Sequence, residues 1–255
     1  MTAVLWTGFR MHFKMLSRSA FELSVTAIWP LVYASIAYFL YRHGTKGPSS
    51  LFYASIGATV MVIWSNVSVG AGNAIQRQRR LGLLEILVAS PTPFVVTLVP
   101  IALATAAVGV YSFVATIAWG GLLFHVPVTI RHPFLFAIAV PVAIVAIGML
   151  GLLLGSVLVL YRAARAAADA LEYPVWLACG LLVPLSVLPG WVAPISWLLA
   201  PTWGVRAIRS AALGGAALEA IGMCLVVSVA YLLIALVFLE HFERLARKRA
   251  SLSLT

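Results

Sequence analysis

"FLFAIAVPVAIVAIGMLGLLLGSVLVLY", Phe134–Tyr161, carries no charged residue over its whole length. A helix that crosses a bilayer needs about 20 apolar residues, and this run is longer. In lipid every backbone N–H and C=O has to be satisfied within the structure itself, so only helices and closed barrels can span. A barrel would show short alternating segments instead of a long unbroken run. The stretch therefore reads as a transmembrane helix. Gly148, Gly151 and Gly155 fall at spacings that let another helix approach closely.

The rest of the chain repeats this theme. Of its 255 residues 63% are hydrophobic and 9% charged, and the mean hydropathy is +1.05. Soluble domains carry about 25% charged residues, so a soluble fold is excluded. The expected class is an all-α membrane protein with six transmembrane helices in a single domain over 1–255. The spans are expected near Leu23–Tyr41, Leu51–Gly72, Phe94–Phe124, Phe134–Tyr161, from about Tyr173 onward, and Ala216–Leu239. The fifth is broken by Pro184 and Pro189 and leads into a mixed stretch over 184–213, rich in proline and tryptophan. The polar segment "RAARAAADALE" (Arg162–Glu172) reads as leaving the membrane before the fifth span. Residues 1–20 read as an interfacial helix: Leu5, Phe9, Phe13 and Leu16 line one face, with Arg10, Lys14 and Arg18 on another side. No cleavable signal peptide is expected, because the first apolar run starts near residue 23 and is too long for one.

The net charge is +10, from 17 Lys and Arg against 7 Asp and Glu. Basic residues flanking spans set topology, and no basic face interleaved with exposed aromatics points to nucleic acid. With the N-terminus in the cytoplasm, the inside holds Arg10, Lys14, Arg18, Arg77, Arg79, Arg80, Arg162, Arg165, Arg244, Arg247, Lys248 and Arg249. The outside holds only Arg42, Lys46, Arg131, Arg206 and Arg209. Both termini are therefore expected in the cytoplasm of a cytoplasmic (inner) membrane.

Catalytic signals are missing. The chain has no GxxxxGK[ST] loop to cradle a nucleotide triphosphate, no HExxH and no CxxC. His12, His43, His125, His132 and His241 sit near span ends without a Cys or carboxylate at ligand spacing, so no metal and no catalytic residue is expected. Cys179 and Cys224 lie in apolar runs and read as small apolar fillers. No charge is expected at a span midplane, which weighs against an ion-coupled secondary transporter. Small polar groups within spans, among them Thr59, Ser65, Asn66 and Ser112, with Tyr111, read either as path lining or as interhelical hydrogen bonding.

One connection stands out: "RQRRLGLLEILVASPTP", Arg77–Pro93. Leu81, Leu84 and Val88 share a helical face, with Leu87 beside it. Pro91 and Pro93 stop the helix and re-aim the chain. The segment reads either as a short helix lying along the membrane or as an ordinary basic loop.

Here the sequence resembles the type-2 permeases of ATP-binding cassette (ABC) exporters, drug or antibiotic exporters in particular. Arg77, Arg79, Gly82, Leu84, Glu85, Leu87, Ser90 and Pro91 fit that family's R-E-[RK]-x-x-G-T-L-E-x-L-x-x-[TS]-P pattern, with Gln78 in place of the usual acid and Leu83 in place of the usual threonine. Pro184, Ser186, Leu188, Pro189, Trp191, Pro194 and Pro201 fit the pattern before its last span. Arg206 or Arg209 completes it, and Arg206 is taken as the site residue.

The resemblance implies that residues 77–91 form a coupling helix on which a separate ATPase docks, with Arg77, Arg79, Arg80 and Glu85 as its charged handle. It implies that 184–213 form an external re-entrant segment that closes the path outward. The expected complex holds two ATPase subunits, which bind ATP and Mg, and a second permease copy or homologous permease, all among membrane lipids. This chain itself binds no cofactor and is not an enzyme. The expected cargo is a hydrophobic or amphipathic compound such as a drug, antibiotic or lipid-like molecule. A polysaccharide or lipid-linked glycan exporter is the alternative within the family. An ion-coupled secondary transporter, or a membrane enzyme or assembly protein, is the alternative outside it.

Overall fold

The computed structural model of the chain describes residues 2–18, 20–42, 48–80, 95–126, 128–158, 164–181 and 183–252. Among these every regular element is helical: α1 (Thr2–Arg18), α2 (Ala20–Arg42), α3 (Pro48–Arg80), α4 (Val95–Phe124), α5 (Pro133–Leu158), α6 (Ala164–Ala178), a 3-10 turn (Leu185–Val187), α7 (Val192–Leu198), α8 (Ala200–Leu213) and α9 (Ala217–Leu252). Four of these helices contain stretches long and apolar enough to cross a membrane: Leu51–Gly70, Leu98–Phe124, Pro133–Leu158 and Ala217–His241. A shorter apolar stretch, Ile28–Leu40, lies in α2. These fall where the first four apolar runs and the last one were expected.

The centre of the bundle is α3. It packs against α2, α4, α5, α6 and α8. Phe52, Ile56, Val60, Ile63 and Trp64 are essentially removed from the surface, as expected for a helix that is apolar all round. By contrast α9 is peripheral. It packs on α5 and α8 but leaves Leu225, Val226, Val229, Leu233 and Val237 exposed, a face suited to lipid. Helix α1 lies against α4 and α2. Its Gly8 sits against Pro100, and Trp6, Phe9 and Phe13 stack along it with ring centroids 5.7 and 6.0 Å apart.

Small residues set how closely α5 approaches its neighbours. A Cβ at Gly151 would lie 2.1 Å from Val67 Cγ1, and one at Gly148 would lie 2.8 Å from the Ala106 Cβ. Val67 is β-branched and has one strongly preferred rotamer in a helix, so it cannot swing away. Gly151→Val is therefore expected to push α5 off α3, at the roughly 1–3 kcal/mol typical of overpacking. Gly222→Val on α9, where a Cβ meets open space, is the control. Thermal unfolding followed by size exclusion should separate the two; equal melting of both variants would contradict this packing.

Helix α3 does not end with its apolar stretch. It runs on to at least Arg80, so Arg77, Arg79 and Arg80 belong to the same helix as the apolar stretch that begins at Leu51. By sequence the apolar run gives way at Asn73, and at about 1.5 Å per residue the helix from there to Arg80 reaches roughly 12 Å further.

The fifth helix differs from the expected one. Helix α6 is described over Ala164–Ala178, and the part of the segment expected to leave the membrane that falls in it is instead packed along α3. Ser68 Oγ donates to the Ala168 carbonyl at 3.1 Å, and Ser65 Oγ donates to Glu172 Oε1. Ser65 lies within the apolar stretch of α3. Glu172 therefore sits at the level of that stretch and not ahead of it. The segment after α6 continues the packing.

Candidate functional site

The break after α6 is built in detail. Gly180 adopts φ +68°, the left-handed conformation that glycine supplies at helix C-termini. Such an end leaves carbonyls without intrahelical partners. Here the Val175, Trp176 and Leu177 carbonyls accept from the Cys179, Leu181 and Gly180 backbone N–H groups, and the carbonyls just past the helix are taken by one side chain from a distant element: Arg209 of α8 donates from Nη1 to the Gly180 carbonyl at 3.1 Å and from Nη2 to the Leu181 carbonyl at 3.0 Å. Its Nε donates to the Tyr53 carbonyl at 3.2 Å, and its guanidinium lies 3.4 Å from the centroid of the Tyr53 ring. Arg209 is only 8% exposed. A cation at a helix C-terminus also meets the negative end of the helix dipole. The three elements meet closely because Gly57 has no side chain: a Cβ there would lie 2.1 Å from the Leu181 carbonyl oxygen and 2.6 Å from Arg209 Nη2.

From that break the chain turns through Leu185–Val187 and α7 into α8. Trp203 Nε1 donates to the Trp197 carbonyl at 2.9 Å, and the Ser196 and Thr202 hydroxyls lie 3.2 Å apart. Tyr231 of α9 donates to the Leu198 carbonyl. The backbone N–H groups of Arg131 and His132 donate to the Ala212 and Ala211 carbonyls, at 2.9 and 3.1 Å, closing the far end of α8. Helix α8 is thus buried in the bundle along most of its length. The connections 128–132, 183–191 and 214–216 and the start of α3 meet at one end. An open cleft of about 390 Å³ there is lined by Tyr53, Cys179, Pro184, Ser186, Arg206 and Ser210, among others.

The residues singled out from sequence are distributed as follows. Pro184 is partly buried, Pro189, Trp191 and Pro194 are exposed, and Pro201 is buried at the start of α8. Arg206 is exposed and lies over the Trp203 ring at 5.2 Å. Arg209 is the arginine that ties the elements together. The distinguishing signal lies in its helical neighbours: Val205, Ala212 and Leu213 surround Arg209, while Arg206 has Thr202 and Ser210 four residues to either side. Among the polar residues within the spans, Thr59 Oγ1 donates to the Ser55 carbonyl at 2.8 Å. Asn66 Nδ2 donates to Ser112 Oγ at 2.9 Å, joining α3 to α4. Ser65 joins α3 to Glu172 of α6, and Tyr111 faces outward, 53% exposed. Gly82, Leu84, Glu85, Leu87 and Pro91 lie outside the described residues. Cys179 and Cys224 are buried free thiols.

The architecture thus has one end tied together by Arg209 and by backbone hydrogen bonds, and towards its other end α3 carries Arg77, Arg79 and Arg80 in its sequence. A search of curated proteins finds no match to the chain. The family model described as ABC-2 type transporter matches residues 3–213, from the first helix to the end of α8. On that match the chain belongs to the ABC-2 type transporter family, the membrane permeases of ABC transporters.

Proposed function

We infer that this chain is the permease of an ABC exporter that carries a hydrophobic or amphipathic compound out through a cytoplasmic membrane, driven by a separate ATPase. Permeases of this family normally work with such a partner, and this chain has no phosphate-binding loop. The observation that carries the reading is the continuation of α3 beyond its apolar stretch through Arg77, Arg79 and Arg80. A rigid helix that both crosses the bilayer and reaches a soluble partner can transmit a push without a soft joint.

In this reading the arginine end faces the cytoplasm, and the spanning helices number six, with α2 and the α6–α8 region completing the four long crossings. Residues 81–91 continue the handle, with Glu85 offering a carboxylate to the ATPase and Leu84 and Leu87 seating it. The end held by Arg209 faces outward. There the 184–213 segment closes the path, and Trp191, 70% exposed, rests at the interface as tryptophans do. Two ATPases bind ATP and Mg beneath a pair of permeases, identical or homologous.

Gentle, lipid-preserving extraction of the tagged chain followed by mass spectrometry tests this. The expected result is a soluble ATPase with a phosphate-loop sequence, in a one-to-one ratio with the permeases. Recovery of the chain alone under those conditions would instead favour an ion-driven transporter.

A further inference from the structure

Glu172 is an acidic side chain whose contacts reach the apolar stretch of the central helix. Its Oε1 accepts hydrogen bonds from Ser65 on α3 and from Tyr33 on α2, the latter at 3.5 Å, and the two hydroxyls lie 3.3 Å apart. Ser65 lies within that apolar stretch, so the carboxylate lies at its level and not beyond it. Ionisable groups at such depth are costly and ordinarily serve a function.

Packing alone does not call for a charge here. A neutral amide would accept from Ser65 and Tyr33 equally well, and α6 is already tied to α3 through Ser68 and the Ala168 carbonyl. Both hydrogen bonds fall on Oε1, so Oε2 is uncommitted among the described residues. Through Tyr33 this carboxylate adjoins a cluster of aromatic rings. Tyr33 meets Trp176 edge-on with centroids 5.4 Å apart, and Tyr173 meets Trp176 at 5.0 Å. Trp29 stacks on Tyr33 at 5.5 Å. The cluster is reachable from outside the bundle: Tyr33 is 4% exposed at its floor, while Trp29 and Tyr173 are 45% and 63% exposed at its rim. Glu172 and Trp176 are intermediate.

A carboxylate among tyrosine and tryptophan rings recognises an organic cation: the rings attract positive charge through their faces, and the carboxylate supplies the counter-charge. An anion would be repelled, and a neutral apolar molecule would gain nothing from Oε2. The geometry points to a recognition site for a lipophilic organic cation between α2, α3 and α6, with Glu172 as counter-ion and Tyr33, Tyr173, Trp176 and Trp29 as its walls. This names the substrate class of the export path and so rests on the permease reading.

The test uses the complex as purified, in lipid nanodiscs without nucleotide, with empty nanodiscs to subtract partition into lipid. The probes are radiolabelled tetraphenylphosphonium and its near-isosteric anion tetraphenylborate. Saturable binding of the cation is expected, with little binding of the anion. Glu172→Gln keeps both hydrogen bonds and removes the charge; it should weaken cation binding by about tenfold, the order expected for losing a partly buried charge pair. Tyr173→Leu removes a wall at an exposed position where folding is not at stake, and should weaken it by about threefold. Should Glu172→Gln fail to fold, Tyr173→Leu decides alone. Cation binding at wild-type strength in either folded variant, or equal binding of cation and anion, would overturn the site. Binding needs no ATP, so the two readings fail separately. An ATPase-bearing complex without saturable cation binding refutes the site alone. Cation binding by a chain that recruits no ATPase supports the site and refutes the permease reading.

Discussion

Arg209→Ala should produce the largest loss of stability of any single substitution around the break after α6. The Gly180 and Leu181 carbonyls belong to a helix end and have no turn of helix ahead of them, so removing the guanidinium strips both of their side-chain donor. A buried polar group left unsatisfied costs about 1–3 kcal/mol, so the pair costs roughly 2–6 kcal/mol. The Tyr53 carbonyl is affected less, because it lies within α3 and retains its helical position. For a chain of this size about 1 kcal/mol corresponds to roughly 2–4 °C in melting temperature, so a fall of about 5–20 °C is expected. Arg209→Lys should recover only part of it, because a single ammonium cannot span carbonyls on two elements while lying over a ring. Arg206→Ala is the comparison, since that side chain is exposed and touches one ring. Thermal melts of the three variants in one detergent check the claim. If Arg209→Ala melted with Arg206→Ala, the break after α6 would not depend on the guanidinium.

That contrast also shows what could be read from the chain alone. The long crossings were legible because an apolar run of span length has few alternatives in lipid. Gly148 and Gly151 were legible as close-approach positions for the same reason, and both sit against neighbouring helices. The fifth helix was not. Arg162–Glu172 lowers local hydropathy enough to look like a connection, yet alanines dominate it, and Ala168 is fully buried against α3. What decides its place is the pairing of Ser65 with Glu172 and of Ser68 with Ala168, contacts about a hundred residues apart in the chain. No local pattern encodes such pairings. The choice between Arg206 and Arg209 was open for a related reason: three residues apart on a helix, they share most of a face. Only the apolar neighbours of Arg209 mark it as the inward one.

Glu85→Arg should abolish transport while leaving the permease inserted and folded. The segment that carries Glu85 follows directly from the arginine end of α3. In the proposed arrangement its carboxylate meets a basic partner on the ATPase surface. Reversing the sign replaces an attraction with a repulsion, and truncating one member of a buried charge pair already costs about 2–5 kcal/mol of affinity. With reversal the loss in ATPase association should exceed about a hundredfold, since every 1.4 kcal/mol is tenfold. Glu85→Gln, which keeps the shape and removes the charge, should lie between. The measurements are ATPase retention on the purified permease and ATP-dependent uptake into inverted vesicles, each beside a thermal melt. A normal melt with loss of the ATPase, or with ATP hydrolysis no longer linked to uptake, is the expected pattern. Normal retention and normal uptake in Glu85→Arg would leave Arg77–Pro93 as a basic connection that fixes topology. The push would then have to enter the bundle elsewhere, with α1 the next candidate because it lies against α4 and α2.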